Sequence, residues 1–218
     1  MTHLIYLFSF VFILLLNSCT SPKADTTHSD LVSTKVSFHS GTYTVDSDIS
    51  TLGWIGKKLT GQHAGNVRIQ EGSVRMDSTG ILTDGHFVID MQTITCSDIS
   101  DPEKNQDLVG HLKDGDFFDV AAFPIATFRV TGSEPDENGK TQISGMLTIK
   151  DKTNPVTFPA QISQADSALS ISAAFTIDRT RWGVVYNSLK TLGDQVKDRA
   201  IEDDIRFTLH LVARKKPI

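Results

Sequence analysis

Four stretches of this chain alternate apolar and polar residues with a period of two. In Thr83 to Met91 the apolar face carries Phe87, Ile89 and Met91, with His86, Val88 and Asp90 opposite. Gln142 to Lys150 aligns Ile143, Leu147 and Ile149, and Ala168 to Asp178 aligns Leu169, Ile171, Ala173, Phe175 and Ile177. Asp204 to Val212 sets Ile205, Phe207, Leu209 and Leu211 against Arg206, Thr208 and His210. Period two with one apolar face specifies antiparallel strands that bury one side. Gly72, Gly80, Asn138-Gly139, Asn154-Pro155 and Asp166-Ser167 read as turn signals between runs, Asn138-Gly139 being a strong hairpin signal. About eight strands result, which leaves a two-sheet sandwich or a closed barrel. Gly85 and Gly145 share parity with the inward rows. Glycine there removes volume from the interior, which favours a barrel with a cavity, although a bulge would also place glycine so.

One helix interrupts the strands, over about residues 102–114. Asp101 suits the N-cap and Pro102 the first helical position, where its missing N–H costs nothing. Leu108 and Leu112 fall on one face, and Gly115 is placed to stop the helix. Beyond it Phe117 and Phe118 form an apolar tip that must be buried, and after Pro124 the run Ile125 to Val130 has strand composition.

The first forty residues read differently. Leu4 to Leu16 is a mostly apolar run too short to span a bilayer comfortably, placed like the core of a signal peptide over residues 1–18. It ends in Leu16-Asn17-Ser18-Cys19, which resembles a bacterial lipobox, so Cys19 is the expected lipidation site. Residues 19–40 are rich in Ser and Thr and read as a flexible tether, leaving residues 41–218 for the domain. With Cys19 acylated, Cys96 is alone, and it reads as a small strand-end residue more readily than as a reactive thiol. A formal net charge of −5 and the lack of a basic run argue against nucleic acid as a partner.

A series of motifs runs in order through the domain. They are Tyr43 to Asp46, Trp54, Gly61 to Gly65, Gly72 to Val74, Phe87 to Met91, His111-Leu112, Asp116 to Asp119, Phe123 to Phe128, Gly145 to Ile149 and Pro155-Val156. Together they resemble the bacterial YceI-like domain from about Gly41 to the C-terminus. The resemblance implies an extended lipocalin-like antiparallel barrel around an apolar tunnel that holds a polyisoprenoid chain, such as the tail of an isoprenoid quinone or a polyprenyl phosphate. A binding protein rather than an enzyme is therefore expected, without a cofactor, and the signal segment and lipobox place it in the bacterial cell envelope.

The expected tunnel residues follow from the inward rows and the resemblance. Phe87, Ile89, Leu147, Phe175 and Phe207 converge on one interior, with Trp54 and Trp182 nearer its ends. Phe117, Phe128, Gly145, Phe158 and Tyr186 complete the set, and Arg179 and Arg181 are candidates for a head group at the tunnel mouth. The expected role is a lipid carrier or sequestering protein, periplasmic or on the outer surface, tethered to a membrane through the N-terminal lipid. The alternatives are an envelope stress or adhesion lipoprotein without a dedicated ligand and, less favoured, a hydrolase, for which no Gly-x-Ser-x-Gly elbow is present. His111, Asp116 and Asp119 match no zinc or calcium spacing, so no metal is expected. The sequence leaves open whether the chain is a monomer or a homodimer.

Overall fold

The alternation in the last strand has a direct counterpart in its surroundings: Arg206, Thr208 and His210 face solvent while Leu211 and Ala213 are buried. The structure, a computed structural model, describes residues 38–192 and 199–215. Cys19 and the signal segment lie outside the described residues. The strands are β1 (Gly41–Val45), β2 (Thr51–Lys58), β3 (Gly61–Met76), β4 (Leu82–Asp90), β5 (Ile125–Pro135), β6 (Thr141–Ile149), β7 (Lys152–Ala165), β8 (Ala168–Asp178) and β9 (Ile201–Lys215). Every pairing between them is antiparallel, and β2 closes on β9 to complete a barrel. Closure removes the sheet edges except along the first half of β7.

The strands share eight positions around the ring, because β1 and β2 occupy one slot in turn. β1 pairs with the far ends of β3 and β9, Thr44 with Ser73 and Val45 with Ala213. β2 takes over between the same two neighbours, Leu52 with Val67 and Leu209. At the break Ser50 holds the ladder together: its hydroxyl donates to Val212 O and accepts from Val212 N–H.

The helix α1 spans Pro102–Lys113 and forms where the sequence places it. Asp101 accepts from the N–H groups of Glu103 and Lys104, satisfying two donors of the first turn. Its stop differs from the expectation. The C-cap is Asp114, whose N–H reaches Gly110 O and His111 O, and Gly115 does not take a left-handed conformation. The loop then turns at Asp119, with φ 49°, and Phe117 packs inward.

Two expected turns are also corrected. Gly72 lies inside the long strand β3, where a Cβ would fall 2.6 Å from the Phe87 ring and 3.0 Å from Val45. Asn154-Pro155 lies inside β7, and the preceding turn is carried by Lys150, with φ 56°. Pro155 and Pro159 are tolerated because β7 pairs there with β6 alone; its register with β8 begins only at Ala160. A residue without an N–H suits a strand edge that needs no donor. Across this gap lies the 3₁₀ turn Arg179–Trp182, joined to β7 by Asn154 Nδ2 donating to Arg181 O and Arg181 donating to Pro155 O. The turns at Gly80, Asn138-Gly139 and Asp166-Ser167 are as expected.

The barrel is solid at one end and hollow at the other. At the β1 end Tyr43, Val74, Met76, Leu169 and Ala213 pack to 1% exposure or less. Toward α1 the inward residues Leu52, Trp54, Phe128, Leu147, Phe175 and Phe207 are only partly buried. Inward residues that retain accessible surface mark an internal space.

Candidate functional site

The hollow end is a single apolar cavity of about 530 Å³, within the usual range for small-molecule sites. An arc of phenylalanines lines it, one each from β4, β5, β7, β8 and β9. Ring centroids are 6.4 Å apart for Phe87 and Phe128, 5.7 Å for Phe128 and Phe158, 4.3 Å for Phe158 and Phe175, and 5.5 Å for Phe175 and Phe207. These separations suit offset or tilted aromatic packing. The rings give the interior a continuous wall with no hydrogen-bonding atom.

Between β4 and β9 the arc lacks a ring only on β6, and Gly145 there explains it. A Cβ at Gly145 would land on the Phe128 ring and 2.5 Å from Arg129 O. The glycine therefore makes room for a neighbouring ring, allowing Phe128 on β5 to meet Phe158 on β7 across β6. Gly85 is used similarly, since a Cβ there would lie 2.9 Å from a Val130 methyl. This corrects the sequence reading, in which both glycines widened the lumen. The space they leave is filled by side chains, and neither glycine lines the cavity.

Trp54, Phe87, Ile89, Phe117, Phe128, Leu147, Phe158, Phe175, Tyr186 and Phe207 all line the cavity. Trp182 does not. It is fully buried behind the wall, and its indole N–H donates to Leu147 O at 2.9 Å, bridging the gap beside β7. Arg181 also lies off the cavity, with its guanidinium against the Trp182 ring and Pro155 O. Arg179 borders the cavity, but three of its nitrogens donate to main-chain carbonyls: Val184 at 2.8 Å, Glu202 at 3.1 Å and Ile201 at 3.1 Å. Burial pulls its pKa down, partly offset by Asp203 and Asp178. In this arrangement it ties the 3₁₀ turn to the start of β9.

The closed side of this end is built by α1 and its loop. Leu108, His111 and Leu112 from the helix and Phe117 and Phe118 from the tip all face the cavity. His111 sits edge-on to Phe117 at 5.0 Å and to Tyr186 at 4.6 Å. Its Nε2 is 3.9 Å from an Asp116 oxygen. The open side is the tip of the β2–β3 hairpin. Lys57, Lys58, Thr60 and His63 line the rim there, with Asn187, Arg199 and Glu202 facing them. Apart from Trp54, His111, Arg179 and Tyr186, the polar groups that line the cavity lie at this mouth. Reading the sequence alone missed these rim residues, because none belongs to an alternating run; Lys57-Lys58 directly before a turn was the available signal.

Beside the mouth lies a polar cluster that the sequence reading also missed. His63, Cys96 and Asp98 bring one ligating atom each to within 4.8 Å of one another, and they are the group of this kind among the described residues. His111, Asp116 and Asp119 do not form one. Partial burial pushes the Asp98 carboxyl up, but hydrogen bonds from Ala64 N–H, His63 and Cys96 outweigh it and hold it at about 2.

Comparison with known proteins places this architecture. The family described as YceI-like domain matches residues 43–213. A UPF0312 protein of Staphylococcus aureus is 32% identical over 115 residues, covering 49% of this chain and 64% of the relative. The chain thus spans less than two thirds of the curated relatives it matches. BcnA of Burkholderia cenocepacia superposes with a TM-score of 0.60 at 22% identity, over 78% of this chain and 99% of that one. A polyisoprenoid-binding domain of Saccharophagus degradans superposes with a TM-score of 0.56 at 13% identity, over 80% and 98% of the two chains. At these identities the two structures establish a common fold.

Proposed function

Since the chain belongs to the YceI-like family, we propose that its cavity takes up the hydrocarbon tail of a polyisoprenoid or isoprenoid quinone. The observation that carries this reading is the run of stacked phenylalanine rings lining an apolar cavity whose polar groups lie mostly at one mouth. Such a site suits a long apolar guest with one polar end. On this reading the protein binds its guest rather than transforming it. The polyisoprenoid-binding domain of Saccharophagus degradans, which shares the fold, supports the choice of ligand class.

Energetics favour exchange over permanent capture. Each isoprene unit removed from water is worth roughly 3–4 kcal/mol at about 0.8 kcal/mol per methylene-sized group. About six units would reach the practical affinity ceiling near −18 to −21 kcal/mol. A bilayer offers the tail a similar solvent, so most of that gain cancels when the guest moves between membrane and cavity. A carrier or sequestering protein held at the membrane, here through an acylated Cys19, fits this balance. On this reading the protein resides in the bacterial cell envelope.

The test is mass spectrometry of an organic extract of the purified chain. Wild type carries isoprenoid lipid. Leu147→Trp, which pushes an indole into the cavity, loses most of it, and Thr208→Lys on the outer face keeps it. Wild type without lipid, even after exposure to isoprenoid in detergent, overturns the proposal.

A further inference from the structure

We propose that His63, Cys96 and Asp98 form a binding site for a thiophilic divalent cation such as zinc, on the outside of the barrel beside the cavity mouth. His63 Nδ1 lies 3.0 Å from Asp98 Oδ2, and Cys96 Sγ lies 3.3 Å from Asp98 Oδ1. One imidazole, one thiolate and one carboxylate make a donor set suited to zinc, which takes three protein ligands and leaves a fourth position to water. All three side chains keep accessible surface, so an ion can reach them.

Main-chain bonds hold the cluster in place. Residues 95–97 run along the edge of β3: Thr95 N–H donates to Asn66 O at 2.9 Å and Ser97 N–H to Ala64 O at 2.8 Å. Ala64 N–H donates to Asp98 Oδ1 at 2.8 Å, leaving Oδ2 turned toward His63. Asn105 of α1 fixes the same segment from the other side, donating to Cys96 O and Ile99 O. The carriers of the three ligands are therefore set before any ion arrives, and side-chain rotations of about an ångström bring the donors to metal-ligand distances near 2.0–2.3 Å. Binding would expel the thiol proton and replace the His63–Asp98 hydrogen bond by two metal bonds.

The site draws on residues separated in the sequence and follows no zinc spacing, which is why the pattern is visible only in three dimensions. An ion there would pin the segment leading into α1 to the hairpin that carries the rim.

The detergent-solubilised full chain, carrying Cys19→Ser so that Cys96 is its one thiol, is titrated with zinc chloride and with cobalt(II) chloride in thiol-free reducing buffer. The expected result is one ion per chain, with cobalt giving the near-ultraviolet thiolate charge-transfer band. Cys96→Ser removes that band, and His63→Ala and Asp98→Asn each weaken zinc by about tenfold or more. Metal-free circular dichroism spectra matching the parent chain, with cooperative melting, show that the variants are folded. No stoichiometric zinc, cobalt bound without the thiolate band, or unchanged zinc affinity in His63→Ala each overturns the proposal.

Discussion

Arg179 is the residue whose role changes most between sequence and structure. Beside Trp182 and Tyr186, an arginine pair reads as a head-group clamp. The structure turns the Arg179 side chain to 1% exposure and spends its nitrogens on the carbonyls of Val184, Ile201 and Glu202, with Asp203 at 3.7 Å. Sequence cannot distinguish a solvated arginine from one that staples two segments, because two of the three acceptors lie 22 and 23 positions away. Arg179→Ala leaves those carbonyls and Asp203 unpaired in the interior and should lower stability by about 3–5 kcal/mol in chemical denaturation. Asp98 gives a pH signature. Its folded carboxyl is held at about 2, below the ordinary 3.8, so it contributes stability that is present above pH 3.8 and lost as pH falls through about 2. Wild type should therefore exceed Asp98→Asn in stability at neutral pH, with the gap closing near pH 2 in acid titrations followed by circular dichroism. Partial exposure keeps the effect small.

Among the elements, the alternating strands β4, β6, β8 and β9 and the helix α1 were legible because their signals are local: parity for the strands, an Asp-Pro cap for the helix. The interior was legible to the extent that parity governs it, which accounts for Phe87, Ile89, Leu147, Phe175 and Phe207. What escaped was cooperation between strands. Gly145 was read as empty space because its occupant, the Phe128 ring, arrives diagonally from β5. Asn154-Pro155 was read as a turn because only the missing β7–β8 pairing explains a proline inside that strand. Gly145→Ala tests the revised reading. Its methyl meets both the ring and Arg129 O, so the cost should be about 1–3 kcal/mol with or without ligand, measured by thermal denaturation. Removing the helix cap with Asp101→Ala should cost about 1 kcal/mol and loosen the covered end of the cavity.

At the scale of the whole molecule, the barrel divides into a packed foundation and a hollow upper half. A guest that binds only the folded state raises stability by RT ln(1 + [L]/Kd), so delipidated protein should melt lower than protein reloaded with isoprenoid. Thr208→Lys should show the same difference, and Leu147→Trp little of it. The anchor is tested separately. Cys19→Ser should leave a chain that is not acylated and no longer partitions with membranes through lipid, while cavity loading in detergent persists. A mature N-terminus other than Cys19 would refute the anchor and leave the cavity reading intact.

The shared slot of β1 and β2 bears on how the chain comes to be folded at all. Tyr43 and Lys215 are neighbours in the finished ring, as are Leu52 and Leu209. The opening strands cannot find their second partner until the final strand has left the ribosome. Until then β1 and β2 on one side and β8 on the other present raw edges beside an uncovered apolar face, the condition in which chains stick to one another. Contacts so remote in sequence also make closure slow, on the millisecond-to-second scale. Expression yield should therefore depend on chaperone holdases more steeply than equilibrium stability would suggest, and a ribosome-stalled chain ending before Ile201 should remain protease-sensitive along its whole length.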